Sequence, residues 1–212
     1  MEKLQSIANQ IIYKIIENKY SLVTVKMLYQ QLMIDTRRIG EVFTIIDGLK
    51  LFDKLDFKTY SVPPQQELQN RFHMICTNCY DTGRKDSQLQ QTALGIIRTL
   101  INYPLPMKTL SIKFQTSRRF YDAINILIGL EILYCDKLNQ LISLNTEVSW
   151  ISCVTVQQQD YEDLKTLQVQ ELYRLAQCAS PTTNSIINNL LPTPKSTQDL
   201  QNKELPGFVS LQ

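Results

Sequence analysis

The chain has 212 residues, is 43% hydrophobic and carries a formal net charge of only +2. That length and apolar content suffice for a sizeable core, in one domain or two small ones. The near balance of charge excludes a global cationic field, so any affinity for nucleic acid has to be local and strongly salt-sensitive.

Met1-Glu2-Lys3-Leu4-Gln5 lacks the basic-then-apolar layout of an export signal. No apolar run reaches the roughly 20 residues that a bilayer span needs. Five cysteines, Cys76, Cys79, Cys135, Cys153 and Cys178, make an odd count, which predicts reduced thiols in an intracellular protein.

Leu4 to Asn18 reads as a helix, with Ile7, Ile11, Tyr13, Ile15 and Ile16 apolar. Ser21 or Thr24 caps a second, short helix carrying Val25, Leu28, Tyr29 and Leu32. Asp35 or Thr36 caps a third from Arg37 to Leu49, whose buried stripe is Val42, Ile45, Ile46 and Leu49. Leu51-Phe52, Asp53 to Asp56, then Phe57 to Val62 read as strand, turn, strand. Three helices followed by a hairpin is the winged-helix plan. Pro63-Pro64 ends this unit, and Gln65 to Tyr80 reads as a further helix with Leu68, Phe72, Ile75 and Cys79 on one face. The polar stretch Asp81 to Ser87 is the candidate boundary between domains.

The plan then recurs. Leu89 to Ile101 forms a helix with Leu94, Ile97 and Leu100 apolar, and Pro104 and Pro106 mark a turn. Met107 to Phe114 is the short second helix. Ser117 to Ile132 is the third, with Ala123, Ile126, Leu127 and Leu130 as its stripe. Leu133 to Cys135, Asp136 to Asn139 and Gln140 to Leu144 give the second wing, and Val148 to Val156 alternates around Trp150 as one more strand. Trp150, Phe114 and Phe120 read as core residues. At a constant offset of 81 positions Arg37-Arg38 meets Arg118-Arg119, Glu41 meets Asp122, and Gly48 meets Gly129. This argues for an internal repeat, a pseudo-dimer in one chain. Gln157 to Ala179 reads as a long packing or interaction helix, with Tyr161, Leu164, Leu172 and Leu175 apolar. From Ser180 the Pro-, Thr-, Asn- and Ser-rich composition predicts a flexible tail. Its islands Ile186 to Leu191 and Leu205 to Val209 suit docking on a partner.

The run Arg118-Arg119-Phe120-Tyr121-Asp122-Ala123-Ile124-Asn125-Ile126-Leu127 resembles a recognition-helix motif, Arg-Arg-x-Tyr-Asp-x-x-Asn-(Val or Ile)-Leu. It belongs to the transcription factors formed by the E2 promoter-binding factor and its dimerisation partner, DP, and the match looks closest to the DP side. The resemblance implies a winged-helix domain whose paired arginines read a GC-rich core in the major groove beside a second such domain. On it Arg118 and Arg119 contact bases, and Tyr121 and Asp122 position the helix and meet the neighbouring domain. The first copy keeps Arg37-Arg38 but has Gly40-Glu41 in place of Tyr-Asp. Glycine there removes an aromatic contact and costs the helix about 1 kcal/mol relative to alanine. Asp47, Asp53 and Asp56 also fall near that copy's basic face. The DNA-contact set is therefore Arg118, Arg119, Tyr121, Asn125, Lys113 and Lys108, with Arg37 and Arg38 from the first copy.

Cys76-x-x-Cys79 with His73 lacks the second ligand pair of a structural zinc site, and His73 is the only histidine. That also removes Ser-His-Asp chemistry. Gly83-Arg84-Lys85 lacks the rest of a phosphate loop. The expectation is a non-enzyme with no metal, cofactor or small-molecule substrate and no membrane contact. Its fold class is mainly α with small β wings. Two tandem winged-helix (helix-turn-helix) domains, 1–62 and 88–156, flank a linker at 63–87, with an interaction helix at 157–179 and the tail at 180–212. Its partners are double-stranded DNA, bound weakly alone, and a catalytic or winged-helix protein, in the nucleus. Its Gln/Asn/Ile/Lys-leaning composition resembles that of ciliates and similar protists, and in size and kind it resembles the small non-catalytic DNA-binding subunits of the ciliate adenine-N6 DNA methyltransferase complex. An accessory role in such a DNA-modifying complex is the favoured expectation. A DP-like transcription factor subunit and a purely structural interaction module are the alternatives.

Overall fold

Ile7, Ala8, Ile11, Ile12 and Ile15 fall at helical spacing, and in a computed structural model they form the buried face of α1 (Leu4–Glu17). The structure describes residues 3–77, 87–115, 118–136 and 138–178. Cys79, the break at 81–86, Ser117, Lys137, the side chains of Leu172 and Leu175, and the tail with its two apolar islands lie outside the described residues. After α1 come β1 (Leu22–Thr24), α2 (Val25–Leu32) and α3 (Thr36–Gly48), then β2 (Asp53–Asp56), β3 (Thr59–Ser61) and α4 (Gln65–Cys76). Thr24 caps α2 by accepting from the Met27 amide at 3.1 Å. Val42, Ile45, Ile46 and Leu49 are all buried, as their spacing predicts.

The second half repeats this order with α5 (Gln88–Leu100), β4 (Leu105–Pro106), α6 (Met107–Lys113), α7 (Arg118–Gly129), β5 (Leu133–Asp136), β6 (Leu141–Leu144) and α8 (Ser149–Ser152). A capping box between Ser87 and Gln90 starts α5. Each half closes with a three-stranded antiparallel sheet of matching order, β1-β3-β2 and β4-β6-β5. The molecule is mainly helical with these two small sheets. The backbone after each third helix turns through a left-handed residue at equivalent positions, Lys50 (φ 53°) and Glu131 (φ 58°). Different donors satisfy the carbonyls there. Arg71 donates to the Lys50 oxygen at 3.0 Å, Asn145 to the Glu131 oxygen at 2.8 Å, and the Trp150 indole to the Leu130 oxygen at 2.8 Å.

The halves pack reciprocally. The third helix of each touches the first helix of the other, α3 on α5 and α7 on α1. Glycine makes the close approach possible. A Cβ at position 129 would stand 2.3 Å from the Gln5 carbonyl oxygen and 2.8 Å from the Ala8 Cβ. A Cβ at position 48 would meet the Gln90 Cγ at 2.6 Å. One continuous buried core follows, in which Phe43 stacks on Tyr60 and Phe52 meets Trp150 edge-on across the halves. Residues 1–166 form one compact unit; of the second, 167–212, the last part of α9 (Gln158–Cys178) is described.

Several elements differ from the sequence reading. Val148 to Val156 is not a strand: α8 occupies its centre. Trp150 and Ile151 are both buried, and consecutive residues of a strand face opposite ways. In the first hairpin, Leu51 and Phe52 are buried ahead of the strand, and Asp53 to Asp56, read as the turn, is itself β2. The turn is Phe57-Lys58. The third strand of each sheet, β1 and β4, was not expected. Each is two or three residues long and is fixed only by pairing, Val23 with Tyr60 and Leu105 with Ile142. Tyr13 is exposed, not on the buried face of α1, and its hydroxyl donates to Glu131 at 3.3 Å.

The first turn of α9 is anchored by Tyr161, which is fully buried. Its hydroxyl donates to Asp53 on β2 and lies 3.2 Å from Glu67 on α4, while Arg71 donates to it at 2.9 Å. Lys165 lies over the Tyr161 ring, 4.1 Å from its centre. Among the described residues, no helix is long and apolar enough to cross a membrane.

Three glycine substitutions test the packing. Gly129→Ala is expected to destabilise by about 1–3 kcal/mol, because the obstacle is backbone. Gly48→Ala should cost less but still destabilise, since it presses on the Cβ and Cγ of Gln90 and moving that side chain gives up its bond from the Ser87 amide. Gly40→Ala should stabilise by up to about 1 kcal/mol, because a Cβ there meets nothing within 4 Å. Urea denaturation of the three variants gives the order.

Alkaline pH tests the buried tyrosines. Burial, with the charge of Asp47 adding, pushes the Tyr60 hydroxyl up to about 12. Burial and the bond to Asp53 hold the Tyr161 hydroxyl well above its ordinary value. Unfolded tyrosines ionise near 10. Above that pH the folded state keeps protons that the unfolded state loses, so stability falls as pH rises. It should be complete below pH ~10 and decline towards pH ~12, by up to about 1.4 kcal/mol per pH unit for each tyrosine. Tyr161→Phe should cost about 1–2 kcal/mol at pH 8 and remove one share of the alkaline decline, read by urea denaturation from pH 8 to 12.

Candidate nucleic-acid interface

Two arginine pairs open the third helices. Asp35 caps α3 by accepting from the Arg37 amide at 2.7 Å, which places Arg37 and Arg38 in the first turn. α7 begins at Arg118 itself. The offset of 81 makes Arg37 the counterpart of Arg118 and Arg38 that of Arg119. In each pair the two arginines have different surroundings. Arg37 and Arg118 are outer residues, each with a side chain 72% exposed. Arg38 and Arg119 turn inward, with side chains 19% and 38% exposed.

The inward arginines meet two carboxylates that are almost fully buried, Glu41 and Asp122. Glu41 accepts from Arg38 at 2.8 Å and from Arg119 of the other half at 3.4 Å, and it lies 3.7 Å from Arg37. Asp122 lies 3.7 Å from Arg119 and 3.9 Å from Arg118. Its Oδ2 is buried without a hydrogen-bond partner. The bond that Arg38 donates to Glu41 holds its guanidinium above the ordinary pKa against the opposing effect of burial, with the charges of Glu41, Asp122 and Asp35 adding. Arg119 is thus the ion-pair bridge between the halves. If it swings away, both buried carboxylates lose one counter-charge.

Arg37, Arg38 and Arg118 line one open cleft of about 480 Å³ together with Met33, Ile34 and Asp35. Cations from both halves therefore converge on one surface. Planar guanidinium forks there suit phosphate oxygens and guanine edges. The other residues named from the sequence are spread more widely. Tyr121 is partly exposed and rests edge-on against Phe120 of its own helix, with ring centres 5.1 Å apart. Asn125 is half-buried one turn further on. Lys108 and Lys113 are exposed on α6. Among the described residues they share neither an ion pair nor the cleft with the arginines.

The acids that matter are not those the sequence suggested. Asp47 lies near Lys50 and Lys54, Asp53 pairs with Arg71, and Asp56 accepts from the Phe57 amide. The sequence aligns Glu41 with Asp122, and the family resemblance gives Asp122 a positioning role, but neither is assigned an ion pair with the arginines. The signal was present in their i+3 and i+4 spacing from each arginine pair. Cys76 is half-buried and burial raises its thiol pKa. Among the described residues no group of three His, Cys, Asp or Glu side chains is placed to hold a metal ion.

Comparison with protein-family models, curated proteins and solved structures finds no match for this chain.

The division into outer and inner arginines has a measurable consequence. Arg119→Ala should destabilise by about 1–3 kcal/mol, by leaving buried carboxylates underpaired. Arg118→Ala should cost less than about 1 kcal/mol, as expected for an exposed ion pair. Urea denaturation of both variants at low salt distinguishes them.

Proposed function

We propose that this chain is a tandem winged-helix protein that contacts duplex DNA through the two outer arginines. In this reading it is a non-catalytic subunit of a nuclear assembly acting on DNA. The observation that carries the reading is the equivalent placement of Arg37 and Arg118. Both stand in the first turn of a third helix, both are 72% exposed, and both border the same cleft. The repeated order of helices and three-stranded sheets supports the winged-helix assignment. The first copy takes part in this reading despite its Gly40-Glu41 variant, because Arg37 is as exposed as Arg118. Arg38 and Arg119 act chiefly as the internal clamp.

A working subunit in company follows from charge. The net charge is +2 over the whole chain, and two carboxylates sit within the arginine cluster, so duplex binding by the chain alone is weak. A catalytic partner that modifies DNA supplies the remaining affinity and the chemistry.

The test combines purification and titration. Endogenous protein recovered at moderate salt should bring a catalytic subunit in stoichiometric amount. Recovery alone, with nanomolar binding to a GC-rich site, would instead establish a free sequence reader. The purified chain should bind a 20-base-pair duplex with a log–log salt slope of roughly −2 to −4, as for a handful of phosphate contacts. Arg37→Ala with Arg118→Ala should flatten that slope by about 2. An unchanged slope would overturn the assignment of the outer arginines.

A further inference from the structure

We infer that Glu41 and Asp122 together form a charge brake that holds the duplex affinity of this surface down. The inference rests on the DNA-binding reading above and names the regulation of that same site. Four guanidiniums, those of Arg37, Arg38, Arg118 and Arg119, share two carboxylates. Asp35 lines the same cleft and adds a third carboxylate, so most of the cluster's positive charge is offset before any ligand arrives, by Glu41 and Asp122 at the pairs themselves.

Both carboxylates sit where a charge is costly to place. Glu41 is 8% exposed and Asp122 9%. Burying a carboxylate carries a desolvation cost, and replacing a whole buried ion pair by apolar groups of similar volume is often neutral or stabilising. Asp122 makes this plain, since its buried Oδ2 receives no hydrogen bond. What it supplies to Arg118 and Arg119, at 3.9 and 3.7 Å, is field more than bonding. Glu41 does the same for three arginines drawn from both halves.

The brake acts in two ways. It lowers the local potential that attracts a polyanion. It also makes withdrawal of Arg119 towards a phosphate costly, because Glu41 and Asp122 then lose their shared counter-charge. A partner that contributes its own contacts overcomes both effects, so tight binding is confined to the assembled complex.

The experiment compares duplex binding by the full chain with that of Glu41→Gln/Asp122→Asn. A 20-base-pair duplex is titrated by fluorescence anisotropy between 50 and 200 mM NaCl. At the lower salt the variant should bind about ten-fold tighter, and its log–log slope should steepen by about 1–2. Glu17→Gln/Glu162→Gln, at two exposed acids away from the cluster, adds the same net charge and should change affinity less than about two-fold. Equal tightening by this control, or an unchanged affinity and slope in the test variant, overturns the brake. Should the double variant fail to fold, Glu41→Gln alone keeps the comparison, with about three-fold tightening expected. If the parent chain binds and neither test variant differs from it, the brake falls and the DNA reading stands. If neither the parent nor the variants bind at all, both fall.

Discussion

The close approach of α1 to α7, and of α3 to α5, is the constraint on which the rest of the structure depends. It is made at Gly129 and Gly48, where the lack of a Cβ lets one helix rest on another's backbone or side chain. This contact brings the N-terminal turns of the two third helices onto a common surface. Without it Arg119 would not reach Glu41, and the four arginines would belong to two separate sites. Core packing and surface electrostatics are therefore linked. The apolar stripe Ala123, Ile126, Leu127 and Leu130 fixes one side of α7, and the charged residues at its start take up whatever geometry that packing leaves them.

The repeat is close in backbone and loose in chemistry. Equivalent third helices end in equivalent left-handed residues, yet an arginine satisfies the carbonyls in one half and an asparagine and a tryptophan do so in the other. Position 40 is glycine where position 121 is tyrosine. Tyr121 packs edge-on against its own neighbour Phe120, a contact that the glycine at position 40 does not make. The paired acids at 41 and 122 were retained in kind, and both lie at the seam.

Helical periodicity made much of this fold legible. The buried stripes of α1, α3, α5 and α7, the constant offset and the capping residues Thr24 and Asp35 all lie within a few residues of the contacts they predict. Strands of two or three residues were not legible, because β1 and β4 exist only through partners about 35 to 40 positions away. Trp150 misled because alternation around an aromatic side chain suits a strand, whereas its indole serves the end of α7. At the candidate site the arginines could be named from sequence, but their division into outer and inner pairs only in part. The i+3 spacing of Arg38 from Glu41 and of Arg119 from Asp122 carries part of that division; the contact of Arg119 with Glu41, 78 residues apart, has no local pattern to encode it.

Because the two halves are joined in one polypeptide, they do not part on dilution. A reader assembled from two separate chains can be retuned by exchanging one of them from a shared pool. Here the pairing is settled when the chain is made, in a ratio of one to one and with a fixed left and right. The halves are unequal at positions 40 and 121, so in the DNA-binding reading proposed above a duplex lying across both is gripped with a defined polarity. What sits to either side of that grip is then always on the same flank.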